Sequence, residues 1–157
     1  MSANSEQHNA INWQQLHEKA QQAHDNAYAP YSNFKVGAAL IGENDELFTG
    51  CNVENASYGL TVCAERNCIS TAVGQGVRNV KALVVFTAQK KLTSPCGACR
   101  QVIAEFMTQD AMIGLVNHLG DSQLWRVSDL LPDAFTTQSL KDADKNLNST
   151  VQEKGQS

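Results

Sequence analysis

Ala82-Leu83-Val84-Val85-Phe86 is an unbroken apolar run rich in β-branched residues, the pattern of a strand buried on both faces of its sheet. Beyond it, Pro95 opens a segment in which Ala98, Cys99, Val102, Ile103, Phe106 and Met107 recur at helical spacing and form one wide apolar face. Met112 to Val116 and Leu124 to Val127 read as two further strands, and Ser128-Asp129-Leu130-Leu131 as a short helical turn before Pro132. A strand that is apolar on both faces needs cover on both faces, so this stretch decides the architecture.

Upstream, Lys35-Val36-Gly37-Ala38-Ala39-Leu40-Ile41 and Leu47-Phe48-Thr49 flank the turn residues Gly42-Glu43-Asn44-Asp45, which predicts a hairpin starting near Phe34. A helix is expected from Asn12, its N-cap, with Gln15 in the capping-box position and Ile11 and Leu16 as a staple. Ala20, Ala23 and Ala27 continue its apolar stripe until Pro30, which disfavours helix in the residue before it. Ala64 to Val73 predicts another helix, with Cys68, Ile69, Ala72 and Val73 on its inner face and Gly74 and Gly76 as stops. The order α-β-β-α-β-α-β-β predicts an α/β fold, a three-layer α/β/α sandwich around a mixed five-stranded sheet. The chain divides into a polar segment 1–10, a single domain 11–135 and a polar extension 136–157, where Leu140, Leu147 and Val151 are too scattered to specify a helix.

At 157 residues the chain suits one domain with one core, since domains cluster around roughly 100–150 residues. Its apolar fraction of 42% excludes a solvating, disordered polymer. A net charge of −4, with no cationic run longer than Lys90-Lys91, argues against a nucleic-acid partner. Neither a membrane span nor an export signal is visible, and an odd number of cysteines, five, suits free thiols or metal ligands in a reducing compartment. The expected location is cytoplasmic.

Two cysteine segments stand at expected helix starts: Val62-Cys63-Ala64-Glu65 and Ser94-Pro95-Cys96-Gly97-Ala98-Cys99. Taken alone, Cys96-x-x-Cys99 suits a redox pair, a metal site or inert core thiols about equally. Cys63 shifts the balance to metal. Three cysteines with a carboxylate two residues after the first make a site with one coordination position open, as catalytic rather than structural zinc sites have. His8, His17, His24 and His118 lie in the tail, the first helix and after a late strand, and are expected as exposed or capping residues rather than a fourth ligand. Cys68 lies five positions past Cys63, roughly 500° around a helix, and with Cys51 is expected to be a buried thiol. Helix N-termini would supply positive potential to the sulfurs. Arg66 could donate to a thiolate or could simply be a solvated helix residue.

The three-cysteine pattern C-A-E…P-C-G-A-C matches the signature of zinc nucleobase deaminases. The sequence resembles the short-chain, homotetrameric cytidine deaminases from about Ala27 to Phe135. The resemblance is carried by Tyr28-Ala29-Pro30-Tyr31-Ser32-Asn33-Phe34-Lys35-Val36-Gly37-Ala38-Ala39-Leu40, Asn52-Val53-Glu54-Asn55-Ala56-Ser57-Tyr58, Cys63-Ala64-Glu65-Arg66, Ser94 to Gln101, and Leu130-Leu131-Pro132-Asp133-Ala134-Phe135. It implies one zinc per chain on Cys63, Cys96 and Cys99, with Glu65 as proton shuttle for a zinc-activated hydroxide that attacks C4 of cytosine. Cytidine or 2′-deoxycytidine would become uridine or 2′-deoxyuridine with loss of ammonia. By the same resemblance Asn52 and Glu54 bind the ribose 3′-hydroxyl, Phe34 packs on the pyrimidine, the Ala64 backbone holds the base and the Ser94 carbonyl receives the leaving amine. Ala56, Tyr58 and Phe135 would reach a neighbouring subunit's site, so that each active site of the homotetramer is completed across an interface. Arg66 would tune a ligand sulfur from outside the coordination sphere.

Three rivals remain at this point. A deaminase for another cytosine substrate, such as an aminoglycosyl-cytosine or an exposed nucleic-acid base, is disfavoured by Asn52, Glu54 and the acidic balance. A zinc-stabilised binding module is disfavoured by Glu65 and the missing fourth ligand. A dithiol oxidoreductase is disfavoured by Cys63.

Overall fold

The computed structural model describes residues 11–141; the polar segment 1–10 with His8, and Leu147 and Val151 of the extension, lie outside the described residues. Helix α1 (Trp13–Asp25) is followed by strands β1 (Val36–Gly42) and β2 (Leu47–Cys51), a 3₁₀ turn (Tyr58–Leu60) and α2 (Ala64–Gly74). Then come β3 (Val80–Thr87), α3 (Gly97–Phe106), β4 (Met112–Asn117), β5 (Ser122–Arg126) and the short α4 (Val127–Leu130). Asn12 caps α1 as the sequence predicts, its side chain accepting from the Gln15 amide at 3.0 Å.

The sheet has five strands in the order β2-β1-β3-β4-β5. Every neighbouring pair is antiparallel except β3 and β4, which run parallel and are joined through α3. The sheet is therefore mixed, and alternation along β3 divides the core in two. Val84 and Phe86 meet Leu16 and Ala20 of α1 on one face. Leu83 and Val85 meet Cys68, Ile69, Cys99 and Ile103 of α2 and α3 on the other. This is the three-layer sandwich expected of a strand that is apolar on both faces. Two glycines let the helices seat directly on the strands: a Cβ at Gly37 would collide with the Ala20 carbonyl of α1, and one at Gly50 with the backbone of α2.

Local details differ from the sequence reading. Helix α1 ends at Asp25, well before Pro30, because the following segment is claimed by a different partner. The Tyr28 amide donates to Asn52 O at 3.1 Å and the Glu54 amide to Tyr28 O at 2.8 Å, so residues 27–29 run extended beside 52–54. Ala27 is buried there rather than on a helix stripe. The apolar face of α3 is narrower than expected, since Ala98 is exposed. Val127 opens α4 instead of closing β5. No helix among the described residues is long and apolar enough to cross a membrane.

Candidate metal centre

Cys63 and Cys96 are the N-cap residues of α2 and α3, each with extended backbone and neither using its side chain to cap. Cys99 lies in the first turn of α3. The fold therefore brings two helix starts together, and the three sulfurs all lie within 4.8 Å of one another. Cys63 Sγ and Cys96 Sγ are 3.9 Å apart, close to the about 3.8 Å implied by two Zn–S bonds of about 2.3 Å at a tetrahedral angle. The donor set and its spacing fit zinc. Unpaired N–H groups at both helix starts supply positive potential where thiolates would concentrate negative charge.

The pKa of Cys63 is lowered to about 5, chiefly by the hydrogen bond from Cys99, with Arg66 and Cys96 adding to it against the opposing effect of burial. Cys99 is pushed up, first because it acts as that donor and then by burial. Arg66 Nη2 lies 3.7 Å from Cys63 Sγ and donates to Thr61 O at 3.2 Å, while its Nε is buried without a hydrogen-bond partner among the described residues. Glu65, only 5% exposed, points into the same region. Burial, with the charge on Cys63 adding to it, raises the Glu65 pKa above the ordinary carboxylate value.

A cavity of about 190 Å³ adjoins the cysteines and is lined by Phe34, Asn52, Cys63, Glu65, Ser94 and Cys96, together with Val36, Thr61, Val85, Thr87 and Thr93. An open cleft of about 400 Å³ lies next to it, lined by Tyr31, Ser32, Glu54, Tyr58 and Thr61. Thr61 borders both. A separate cleft of about 320 Å³, between Trp13, His17 and Leu124, lies on the α1 face of the sheet. Its lining among the described residues includes no cysteine and no carboxylate.

Asn52 and Glu54 are buried while Val53 between them is 45% exposed, the alternation expected of an extended segment. Asn52 has a structural task that the sequence did not disclose. Its Nδ2 donates to Phe34 O and its Oδ1 accepts from Val36 N, both at 2.8 Å, so it latches the end of β2 to the start of β1. Glu54 accepts from the amides of Tyr31 at 2.9 Å and Ser32 at 3.2 Å and from the Ser32 hydroxyl, and its pKa is lowered chiefly by that hydroxyl. Ala64 is fully buried behind Glu65. Ala56, Tyr58 and Phe135 are exposed and are not among the residues lining the cysteine cavity, Tyr58 resting edge-on against Tyr31 with ring centres 5.9 Å apart.

Some side chains differ from expectation. Cys68 is buried and donates to Phe48 O at 3.4 Å, but Cys51 is only partly buried at the end of an edge strand. His17 and His24 are neither free nor caps: both pack their rings on Phe86, at 5.7 and 5.2 Å. Arg100 had no role in the sequence reading. Its guanidinium ties Pro95 O at 2.8 Å, Ser94 Oγ at 2.9 Å and Leu130 O at 3.0 Å, which fixes the loop carrying Cys96. Its place one turn after Cys96 was the available signal.

A family model described as the cytidine and deoxycytidylate deaminase zinc-binding region matches residues 11–115. The chain belongs to that deaminase family. Its resemblance to a cytidine deaminase of Halalkalibacterium halodurans is 48% identity over 129 residues, covering 82% of this chain and 98% of the relative. The crystal structure of cytidine deaminase from Burkholderia pseudomallei superposes with a TM-score of 0.77 at 46% identity, over 80% of this chain and 100% of that one. Cytidine deaminase from Mycobacterium tuberculosis gives 0.71 at 40% identity, over 80% and 98%. The deaminase family's zinc-binding region thus contains Cys63, Cys96 and Cys99, the cluster that could hold the metal.

Proposed function

We propose that the chain is a zinc-dependent cytidine deaminase of pyrimidine salvage, converting cytidine and 2′-deoxycytidine to uridine and 2′-deoxyuridine with release of ammonia. The observation that carries this is a cluster of three sulfurs, two of whose cysteines, Cys63 and Cys96, line one cavity together with the buried acid Glu65. Cys63, Cys96 and Cys99 would hold one zinc, which when bound brings the pKa of a water down to about 7 and so makes it a nucleophile at neutral pH.

Glu65 is the proton carrier. Burial raises its pKa, the direction that favours a carboxylate able to take up a proton and give it back. It takes one proton from the water that adds at C4 and passes it to N3, then takes the second from the hydroxyl so formed at C4 and gives it to the departing amine, ending as it began. Phe34 walls the pyrimidine, the Ala64 amide holds its edge, and the Ser94 carbonyl receives the amine. Asn52 and Glu54 bind the ribose 3′-hydroxyl. Asn52 has one N–H and one lone pair beyond its two backbone bonds, which leaves it free to do so. Arg66 draws charge from the Cys63 sulfur at 3.7 Å.

The exposure of Tyr58 at 76% and Phe135 at 60% supports burial against neighbouring subunits, in a homotetramer whose sites are shared across interfaces. The five unpaired thiols support a reducing, cytoplasmic setting. Zinc analysis together with an ultraviolet assay on cytidine tests the proposal. One zinc per chain and loss of the cytidine absorbance are expected; full activity in metal-free protein would refute it.

A further inference from the structure

One polar group of the cavity has no task in this account. Thr87 closes β3, and alternation places its side chain on the same face as Leu83 and Val85, toward the cysteine cluster. It is 1% exposed, and its Oγ1 has no hydrogen-bond partner among the described residues, although the residue lines the cavity with Glu65, Asn52, Ser94 and Cys96. The other hydroxyl-bearing residues of the lining are engaged. Thr61 Oγ1 accepts from the Asn55 amide, Thr93 Oγ1 donates to Lys91 O, and Ser94 Oγ accepts from Arg100.

A buried hydroxyl without a partner is a cost that a methyl group in the same place would not carry. The fold does not tolerate this next door. Asn117, paired with Thr87 across β3 and β4 and equally buried, bonds Lys90 O and Asp121 Oδ2 through Nδ2 and accepts from the Leu119 and Asp121 amides. The strand pairings of Thr87 with Val36 and Asn117 run through backbone, so the sheet makes no demand on the hydroxyl. An unsatisfied polar group in a residue that lines a functional cavity calls for a partner, and what the cavity binds can supply one.

We infer that the Thr87 hydroxyl is a further ligand-contacting group, hydrogen-bonding the bound nucleoside directly or through one trapped water. The inference rests on the nucleoside reading above. Val36 and Val85 line the same cavity, so the hydroxyl adds a polar group beside an apolar part of its wall. A hydroxyl both donates and accepts, so it serves the amidine edge of a cytosine and the amide edge of a uracil alike.

The test compares zinc-loaded wild type with Thr87→Val, nearly isosteric but without the hydroxyl, and Thr87→Ser, which keeps it. Cytidine turnover gives kcat and KM, calorimetric titration with uridine gives Kd, and thermal unfolding gives Tm. Loss of one neutral hydrogen bond predicts a fall of about 3–10-fold in kcat/KM and in uridine affinity for Thr87→Val, with Tm held or raised, and recovery of most of the loss in Thr87→Ser. A threonine with only a structural role would lower Tm in Thr87→Val and leave both ligand readouts unchanged. Unchanged kcat/KM and uridine Kd in that variant, beside an active wild type, overturn the inference and spare the reading of the site. A wild type inactive on cytidine overturns the reading and the inference together.

Discussion

Replacing Gly50 by alanine tests whether the sheet positions the chemistry. Gly50 lies on β2, opposite Ala38 of β1, and directly under the first turns of α2. A Cβ built there comes within 2.8 Å of the Ala64 carbonyl oxygen and of Cys68 Cα, and closer still to the Cys68 amide nitrogen. All three contacts are backbone, so no side-chain rotation relieves them. Ordinary carbon contacts need about 3.5–4.0 Å, which obliges α2 to move off β2 by about 1 Å. Overpacking of this kind typically costs about 1–3 kcal/mol, and the rigid surroundings favour the upper end. At this chain length each kcal/mol lowers Tm by about 2–4 °C, so a drop of roughly 6–12 °C is expected.

Helix α2 carries Glu65 and is capped by Cys63, so the same displacement moves the proton carrier and one sulfur relative to Cys96 and Cys99 on α3. A misplacement of about 1 Å can cost about 10²-fold in rate, and a loss of that order in kcat/KM is the expected result. Zinc retention against a chelator should weaken in parallel. Gly74→Ala, at the far end of the same helix with open space around its Cβ, serves as the control and should be neutral or slightly stabilising. Thermal unfolding and steady-state deamination of cytidine on both variants decide the matter. Wild-type Tm and turnover in Gly50→Ala would show that the close approach of β2 and α2 does not hold the site.

Glu65→Gln should keep zinc and fold while turnover falls by about 10²–10⁴-fold; zinc lost in step with activity, by metal analysis beside kcat, would make Glu65 a ligand instead. Cys99→Ala should abolish both metal and activity, read by the same pair of measurements. Arg66→Gln should lower kcat and chelator resistance by about 10–100-fold, and Arg66→Lys should not be silent because a lysine lacks the planar fork; wild-type values in both would return Arg66 to a surface role. Glu54 has its pKa lowered, first by Ser32, so its stabilisation is present above the unfolded carboxylate pKa of about 4.3 and disappears as pH falls through the lower folded value. Ser32→Ala should therefore flatten the acid limb of Tm against pH below about 4.3, and an unchanged limb would remove Glu54 as its source.

How much of this was legible in the chain follows from what periodicity encodes. A face of a helix, a buried run and a turn are properties of neighbouring residues, so Ala82 to Phe86, the hairpin at Gly42 to Asp45 and the Asn12 cap could be read directly, and with them the layered architecture. The C-A-E…P-C-G-A-C spacing likewise marked the metal-binding residue types, because their chemistry is local to two short segments. Partner choice between distant segments is not local. That Cys63 and Cys96, 33 residues apart, meet at 3.9 Å depends on two helix starts being seated at one end of the sheet. That α1 stops at Asp25 depends on residues 52–54 claiming the backbone of Tyr28. Only the assembled fold could show that Asn52 latches two strands, that Arg100 holds the Cys96 loop, and that the Thr87 hydroxyl has no partner among the described residues. A side chain's hydrogen-bond partners lie on whatever the tertiary structure brings beside it, and no window of sequence contains them.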